Sequence, residues 1–263
     1  MLITMQKYFV PSAQFGDQSI QITGNDAHHI MNVMRLKPGA EILVSDGEKR
    51  EAVVVIEQCG ADGVEARIVE MRDFDREPTV QVTIAQSLPK GDKMELIIQK
   101  CTEIGAVHFM PFISERTVVQ YDSKKEAKRL ERWGKIAKEA AEQSHRNVVP
   151  TIATSMNWKA LTAQFASYDL VLICYEDERG TMLRDVLEAF APTQGDMQGS
   201  MAKQARMMVV IGPEGGFAAQ EIHSAVEAGA RCVSLGRRIL RAETAGMAAC
   251  ACIMYQFGEM GGM

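Results

Sequence analysis

The chain has 263 residues, 46% of them hydrophobic, which is enough apolar surface for one large domain or two smaller ones. Its 29 basic residues face 34 acidic ones, and the net charge of −5 excludes a protein held on nucleic acid by bulk charge. There is no apolar run of about 18 residues, and Met1–Val10 lacks the long apolar centre of a signal peptide, so a soluble cytoplasmic protein with no membrane contact is expected.

Residues 1–73 read as strand-rich. SIQIT, AEILVSD, EAVVVIEQ and GVEARIVEM are short β-branched runs separated by Gly, Asp and Asn. Between the first two, NDAHHIMNVMRL has helical spacing, with Asn25 or Asp26 as its cap and Pro38-Gly39 beyond its end. His28 and His29 fit helix packing better than metal binding. A small barrel-like β domain follows from this pattern. FDREPT, residues 74–79, is polar, contains a proline and reads as a linker.

From residue 80 the rhythm becomes strand, helix, strand, helix. VQVTIAQS, VHFMPFIS, LVLICYE, MMVVIGP and RCVSLG are apolar strands. Helices are expected over DKMELIIQKCTEIG, 123–145, and about 157–167, 181–190, 218–229 and 242–257. Continuous apolar strands alternating with helices imply an α/β domain whose mostly parallel sheet is covered on both faces. APTQGDMQGSMAKQ, residues 191–204, reads as a flexible insertion. The six cysteines form no C-x-x-C pair, and none stands at metal-ligand spacing from a histidine, so buried thiols and no metal are expected.

Charge is uneven along the chain. Residues 1–73 are net −4, 74–150 net +2 and 151–263 net −3, which makes the middle segment the place for a local polyanion patch. The helix at 123–145 is rich in lysine and arginine, but Glu126, Glu131 and Glu139 interrupt them, as on an ordinary solvated face.

In parallel α/β sheets, ligands bind outside the carboxyl ends of the strands. Three such ends are unusual here. LVLICYE runs into Glu176-Asp177-Glu178-Arg179-Gly180, MMVVI into GPEGGF, and RCVSLG into RRILRAETA. GPEGGF lacks the lysine of a P-loop and the spacing of a dinucleotide fingerprint, and Glu214 would repel a pyrophosphate. A carboxylate among free amides suits a neutral or cationic ligand; a tight strand-to-helix turn with no ligand is the other reading. In SLGRRILRAETAG, Ile239 and Leu240 can wall an apolar slot, while Ala242, Ala245 and Gly246 let the next helix pack closely.

IGPEGGF with SLGRRILRAETA resembles the bacterial 16S rRNA uridine-N3 methyltransferases of the SPOUT superfamily. HHIMNVMRLKPG, LPKGDKMELIIQKCTEIGAVHFMPFISERT and AEQSHRNVVP also resemble stretches of that family, so the likeness covers nearly the whole chain. It departs from the family at Lys7, where arginine is frequent; at Gly39-Ala40-Glu41; at His145, where glycine is usual; and at Ala218, which lacks the usual hydroxyl cap.

The resemblance implies a PUA-like domain over 1–73 and a knotted SPOUT methyltransferase domain over 80–263, with the cofactor-binding knot at about 170–257. It implies a homodimer that uses S-adenosylmethionine to make 3-methyluridine at position 1498 of 16S rRNA, on the assembled small ribosomal subunit. Cofactor contacts would come from Tyr175, Glu176, Ile211, Gly212, Pro213, Glu214, Gly215, Gly216, Leu235, Gly236, Arg238, Ile239, Leu240, Thr244 and Ala245. Arg241 would steady the uridine oxygens, with Glu243 or Glu214 as proton acceptor. Lys7, Arg35, Lys90, Lys93, Arg116 and Arg146 would contact RNA. Methylation of another RNA site or of a ribose 2′-hydroxyl, and a non-catalytic RNA-binding or assembly protein, remain as alternatives.

Overall fold

The computed structural model describes residues 5–73, 76–119, 122–190 and 205–261. These fall into two compact units, one formed by residues up to Glu77 together with Lys138–Val149, the other by Pro78–Ala137 with Pro150 onward. Phe74 and Asp75 of the expected linker, and the expected insertion at 191–204, lie outside the described residues.

The first unit holds β1 (Lys7–Phe9), β2 (Ser19–Ile22), α1 (Gly24–His28), β3 (Glu41–Ser45), β4 (Glu51–Gly60) and β5 (Gly63–Arg72). The strands form one sheet in the order β1-β3-β4-β5-β2, with β1 parallel to β3 and the other pairs antiparallel. Alternation puts one side of each strand inward. Ile20, Ile22, Ile42, Val44, Val54, Ile56, Val64 and Ala66 are completely buried around Tyr8, Phe15 and Ile30. Gly63 carries φ +125° in the tight β4–β5 turn, where a Cβ would press on the Ile22 carbonyl. The helix is capped at Thr23 rather than at Asn25 or Asp26, and it widens into a π-turn over His29–Val33.

The stretch 138–149 packs with this sheet, although its sequence reads as part of the following domain. Its anchors are polar. Glu142 accepts from the Phe9 amide at 3.0 Å, Lys138 donates to Asp26, and Asn147 donates to Glu51 Oε2 at 3.0 Å. Hydrophobic periodicity carries no trace of such bonds.

The second unit holds β6 (Gln81–Ser87), α2 (Lys93–Ile104), β7 (His108–Ile113), α3 (Ser123–Gln143, whose last turn belongs to the first unit) and β8 (Thr151–Ile152). It continues with β9 (Met156–Asn157), α4 (Trp158–Thr162), β10 (Leu170–Cys174), α5 (Leu183–Phe190), β11 (Arg206–Ile211), α6 (Ala219–Glu227), β12 (Arg231–Val233) and α7 (Ala242–Gln256). The order β12-β10-β11-β6-β7-β8, with β9 beside β7, is parallel throughout. The central strands β6, β10 and β11 are almost wholly buried, as a sheet covered on both faces requires. α7 packs against β6, β11 and α2. A Cβ on Gly246 would lie 3.6 Å from Ile211 and 3.8 Å from Ile84, so the small residues of α7 do bring it close to the sheet.

Candidate functional site

β10 lies between β12 and β11, with Cys174 opposite Ile211 on one side and Val233 on the other. The three unusual strand ends are therefore adjacent. The loops that leave them surround a cavity of about 400 Å³. That volume falls within the range of small-molecule sites.

The loop after β11 turns at once. Gly216 donates to the Pro213 carbonyl at 2.9 Å and holds φ +69°, a conformation that glycine adopts without strain. A Cβ there would collide with the Glu176 carboxylate from the loop after β10. Phe217 closes the turn: its ring packs at a tilt against Trp158, centroids 5.5 Å apart, and covers Gly212, whose carbonyl accepts from Gln86 at 3.4 Å. The loop is also braced from outside, since Arg116 donates to the Gly215 carbonyl at 2.8 Å.

Glu214 faces cations. Its Oε1 accepts from Lys93 Nζ at 2.9 Å and from the Lys90 amide at 3.3 Å. Burial pushes this carboxyl up, but the Lys93 ammonium and the backbone amides outweigh it and hold the group below the usual carboxylate range. Glu243, in the first turn of α7, stands 3.3 Å from the same Lys93 through an Oε2 that is buried and makes no hydrogen bond.

Most residues expected at a cofactor site line this cavity: Tyr175, Glu176, Ile211, Gly212, Pro213, Glu214, Gly216, Leu235, Gly236, Arg238, Ile239, Leu240 and Ala245, with Arg241 at the start of α7. Gly215, Thr244 and the expected proton acceptor Glu243 do not line it. Ile239 corrects the expectation of an apolar wall: its side chain is 90% exposed and stands at the rim. Sequence reasoning left Cys174, Arg179, Phe217, Ser234 and Ala242 out of the cofactor contacts although they lie within the quoted motifs, and it placed Lys93 elsewhere. Positions inside the motifs were open to inspection; the reach of Lys93 across from α2 was not.

The expected RNA contacts divide. Arg35, Lys90 and Arg116 are exposed. Lys7 and Arg146 are corrections: both are buried, Lys7 bonded to Glu51 and Arg146 to Glu77. Neither offers a free cation to a phosphate. Burial, the largest influence, lowers the Lys7 pKa despite the Glu51 carboxylate. On α3, Asp92, Glu95 and Glu131 occupy Arg129, Arg132 and Lys135, as befits a solvated helix face. His29 is hydrogen-bonded through Nδ1 to the Tyr8 hydroxyl at 3.0 Å, a packing role.

Comparison with known proteins adds six findings. The RNA methyltransferase domain family matches residues 75–254, and the RNA methyltransferase PUA domain matches residues 22–69. Ribosomal RNA small subunit methyltransferase E of Bacillus subtilis is 38% identical over 258 residues, spanning 96% of this chain and 97% of that protein. The Mycobacterium bovis protein of the same name is 32% identical over 85% of this chain and 81% of its own length. Among solved structures, ribosomal RNA small subunit methyltransferase E from Neisseria gonorrhoeae bound to S-adenosylmethionine superimposes with a TM-score of 0.78 at 29% identity, covering 95% and 97% of the two chains. A Legionella pneumophila methyltransferase in complex with bound S-adenosylmethionine gives 0.83 at 27% identity, covering 96% and 98%.

Proposed function

Because this chain belongs to the RNA methyltransferase family, we propose that it methylates N3 of a uridine in 16S ribosomal RNA with S-adenosylmethionine as donor. The substrate is the assembled small subunit, the working form a homodimer, and the place the cytoplasm. The observation that carries the reading is the convergence of three strand-end loops on one cavity. The small-subunit methyltransferase relatives support the substrate, and the two neighbours that hold S-adenosylmethionine support the donor. The N3 position, nucleotide 1498 and the dimer rest on the sequence resemblance.

The residues present fit the donor. Gly212 and Gly216 leave backbone open to close approach, and a side chain at either would meet Phe217 or Glu176. Ile211, Leu235 and Leu240 supply apolar surface for a purine, and Glu176 and Glu214 supply negative charge for a cation and acceptors for ribose hydroxyls. When bound, S-adenosylmethionine supplies a methyl group on a sulfonium: the S–CH3 bond breaks as the bond to N3 forms, and its electron pair stays on sulfur.

The chain's task is to prepare N3. That nitrogen carries a proton, and its deprotonated form spreads charge onto O2 and O4. Arg241, on the cavity wall at the start of α7, steadies that charge. Glu243 or Glu214 takes the proton. Arg35, Lys90 and Arg116, all exposed, contact phosphates and set register rather than sequence. Arg241→Ala is expected to lose about 100-fold or more in methyl transfer while calorimetry finds cofactor affinity unchanged. Normal turnover in that variant would remove Arg241 from the mechanism.

A further inference from the structure

Four arginines line the cavity: Arg179 from the loop after β10, Arg237 and Arg238 from the loop after β12, and Arg241 at the start of α7. All four are exposed, and among the described residues none of their guanidinium groups pairs with a carboxylate. Acidic partners are not scarce, since the chain has 34 acidic residues. On α3, carboxylates occupy Arg129, Arg132 and Lys135. Around the cavity they are engaged elsewhere. Glu178, next to Arg179 in the chain, accepts from the Gly180 amide at 2.7 Å and the Thr181 amide at 3.0 Å, and Glu214 is held by Lys93. Unpaired cations gathered in one place create a local positive potential that a net charge of −5 conceals.

The loops that carry them are bonded to each other. The Ser234 amide donates to the Thr181 carbonyl at 2.9 Å, and the Leu183 amide donates to the Ser234 carbonyl at 3.1 Å. Ser234 Oγ accepts from the Gly236 amide at 3.3 Å, and Gly236 turns the chain at φ +115° just before Arg237. One joint therefore carries Arg179 on one loop and Arg237 on the other.

S-adenosylmethionine does not account for four cations, because it has a single carboxylate beside an ammonium and a sulfonium. Arg238 is expected at the donor and Arg241 at the uridine oxygens, which leaves Arg179 and Arg237 without a task. A uridine whose base enters the cavity leaves its phosphates at the mouth, and a guanidinium matches a phosphate with two parallel hydrogen bonds. Ile239 follows Arg238 in the chain and is 90% exposed, so the rim is apolar as well as basic. That combination suits a nucleotide, which sets a base beside each phosphate.

We propose that Arg179 and Arg237 form a phosphate clamp at the mouth of the cavity, holding the RNA backbone beside the nucleotide to be methylated. The inference rests on the methyltransferase reading above. A contact with the donor carboxylate is the competing role, and the two differ in what they move. A phosphate contact acts on RNA binding and weakens with salt, whereas a donor contact acts on cofactor affinity.

Full-length wild type, Arg179→Gln, Arg237→Gln, the double glutamine variant and the double lysine variant would be compared. Calorimetry gives S-adenosylmethionine affinity. Binding to unmodified small subunits, and to a short oligouridylate that carries phosphates without the ribosome, is measured across a salt series. The double glutamine variant is expected to bind both RNAs about tenfold or more weakly. Its slope of log affinity against log salt should be shallower by about 0.7 for each arginine removed, with cofactor affinity unchanged. The lysine variant should keep the wild-type slope and recover part of the affinity, since it retains charge and loses the planar fork. Lowered cofactor affinity would place the two arginines on the donor and overturn the proposal. Unchanged RNA affinity and slope would show ordinary solvated arginines and overturn it as well. Wild type that binds RNA through these arginines but methylates no uridine would sink the functional reading and leave the clamp standing.

Discussion

At the scale of single residues, the same side-chain type does opposite things according to its surroundings. Lys7 reads as a surface cation, yet it is enclosed with Glu51 instead of meeting solvent, so removing either partner would leave the other's charge buried and unpaired. His145 holds φ +57°, in the left-handed region that glycine adopts without strain and a histidine does not. Gly216 has the same left-handed sign and faces the cofactor cavity. Gly216→Ala would add strain of order 1–3 kcal/mol, which the loop relieves by leaving the cavity wall. Titration calorimetry should find cofactor affinity lowered by about tenfold or more. Wild-type affinity would show that the loop backbone does not shape the site. Asp46 offers a test in pH. Burial alone would push its carboxyl up, but the amides of Glu48, Lys49 and Arg50 and the Arg50 guanidinium outweigh it, bringing the pKa from 3.8 to about 2. A folded-state pKa below the unfolded one stabilises above the unfolded value, and the benefit is lost as pH falls from 3.8 toward 2. Urea unfolding followed across that window should show a steeper loss for wild type than for Asp46→Asn, which should also be less stable at neutral pH. Equal slopes would contradict the assignment.

At the scale of elements, legibility followed hydrophobic pattern. The strands β3, β4, β6, β10 and β11 were plain in the sequence because each is a continuous or alternating apolar run. β1 was not, because its three residues begin with a buried lysine, and β8 and β9 are two residues each. The three motif-bearing loops were legible as a group, since glycine and charge at strand ends mark a ligand edge in any parallel sheet. Lys93 was not, because its role depends on α2 approaching the loop after β11, which no local pattern encodes. α6 shows a cap compromised by sequence. Ala218 sits at the N-cap with extended backbone and no side-chain acceptor, and Glu221 alone reaches back, to the Ala218 amide at 2.9 Å. Ala218→Ser supplies the missing acceptor and is expected to stabilise by about 1 kcal/mol, seen as a higher urea midpoint with unchanged slope. A lower midpoint would show that the pocket around Ala218 does not admit a hydroxyl.

At the scale of the whole molecule, each unit keeps its own core, and the chemistry gathers at one edge of the parallel sheet in the second. No described helix is long and apolar enough to cross a membrane. A net charge of −5 is what the proposed reading of a ribosomal surface by shape, with few phosphate contacts, would require. The knot implied by resemblance is a matter of chain threading, which composition and periodicity do not encode. The most direct measurement gives the purified protein labelled S-adenosylmethionine with unmodified small subunits and, separately, with naked 16S rRNA, then digests the RNA to nucleosides for mass spectrometry. Labelled 3-methyluridine from the subunits, and none from naked RNA, is the predicted result. A 2′-O-methylated nucleoside, or no transfer by protein that binds the cofactor, would contradict the account.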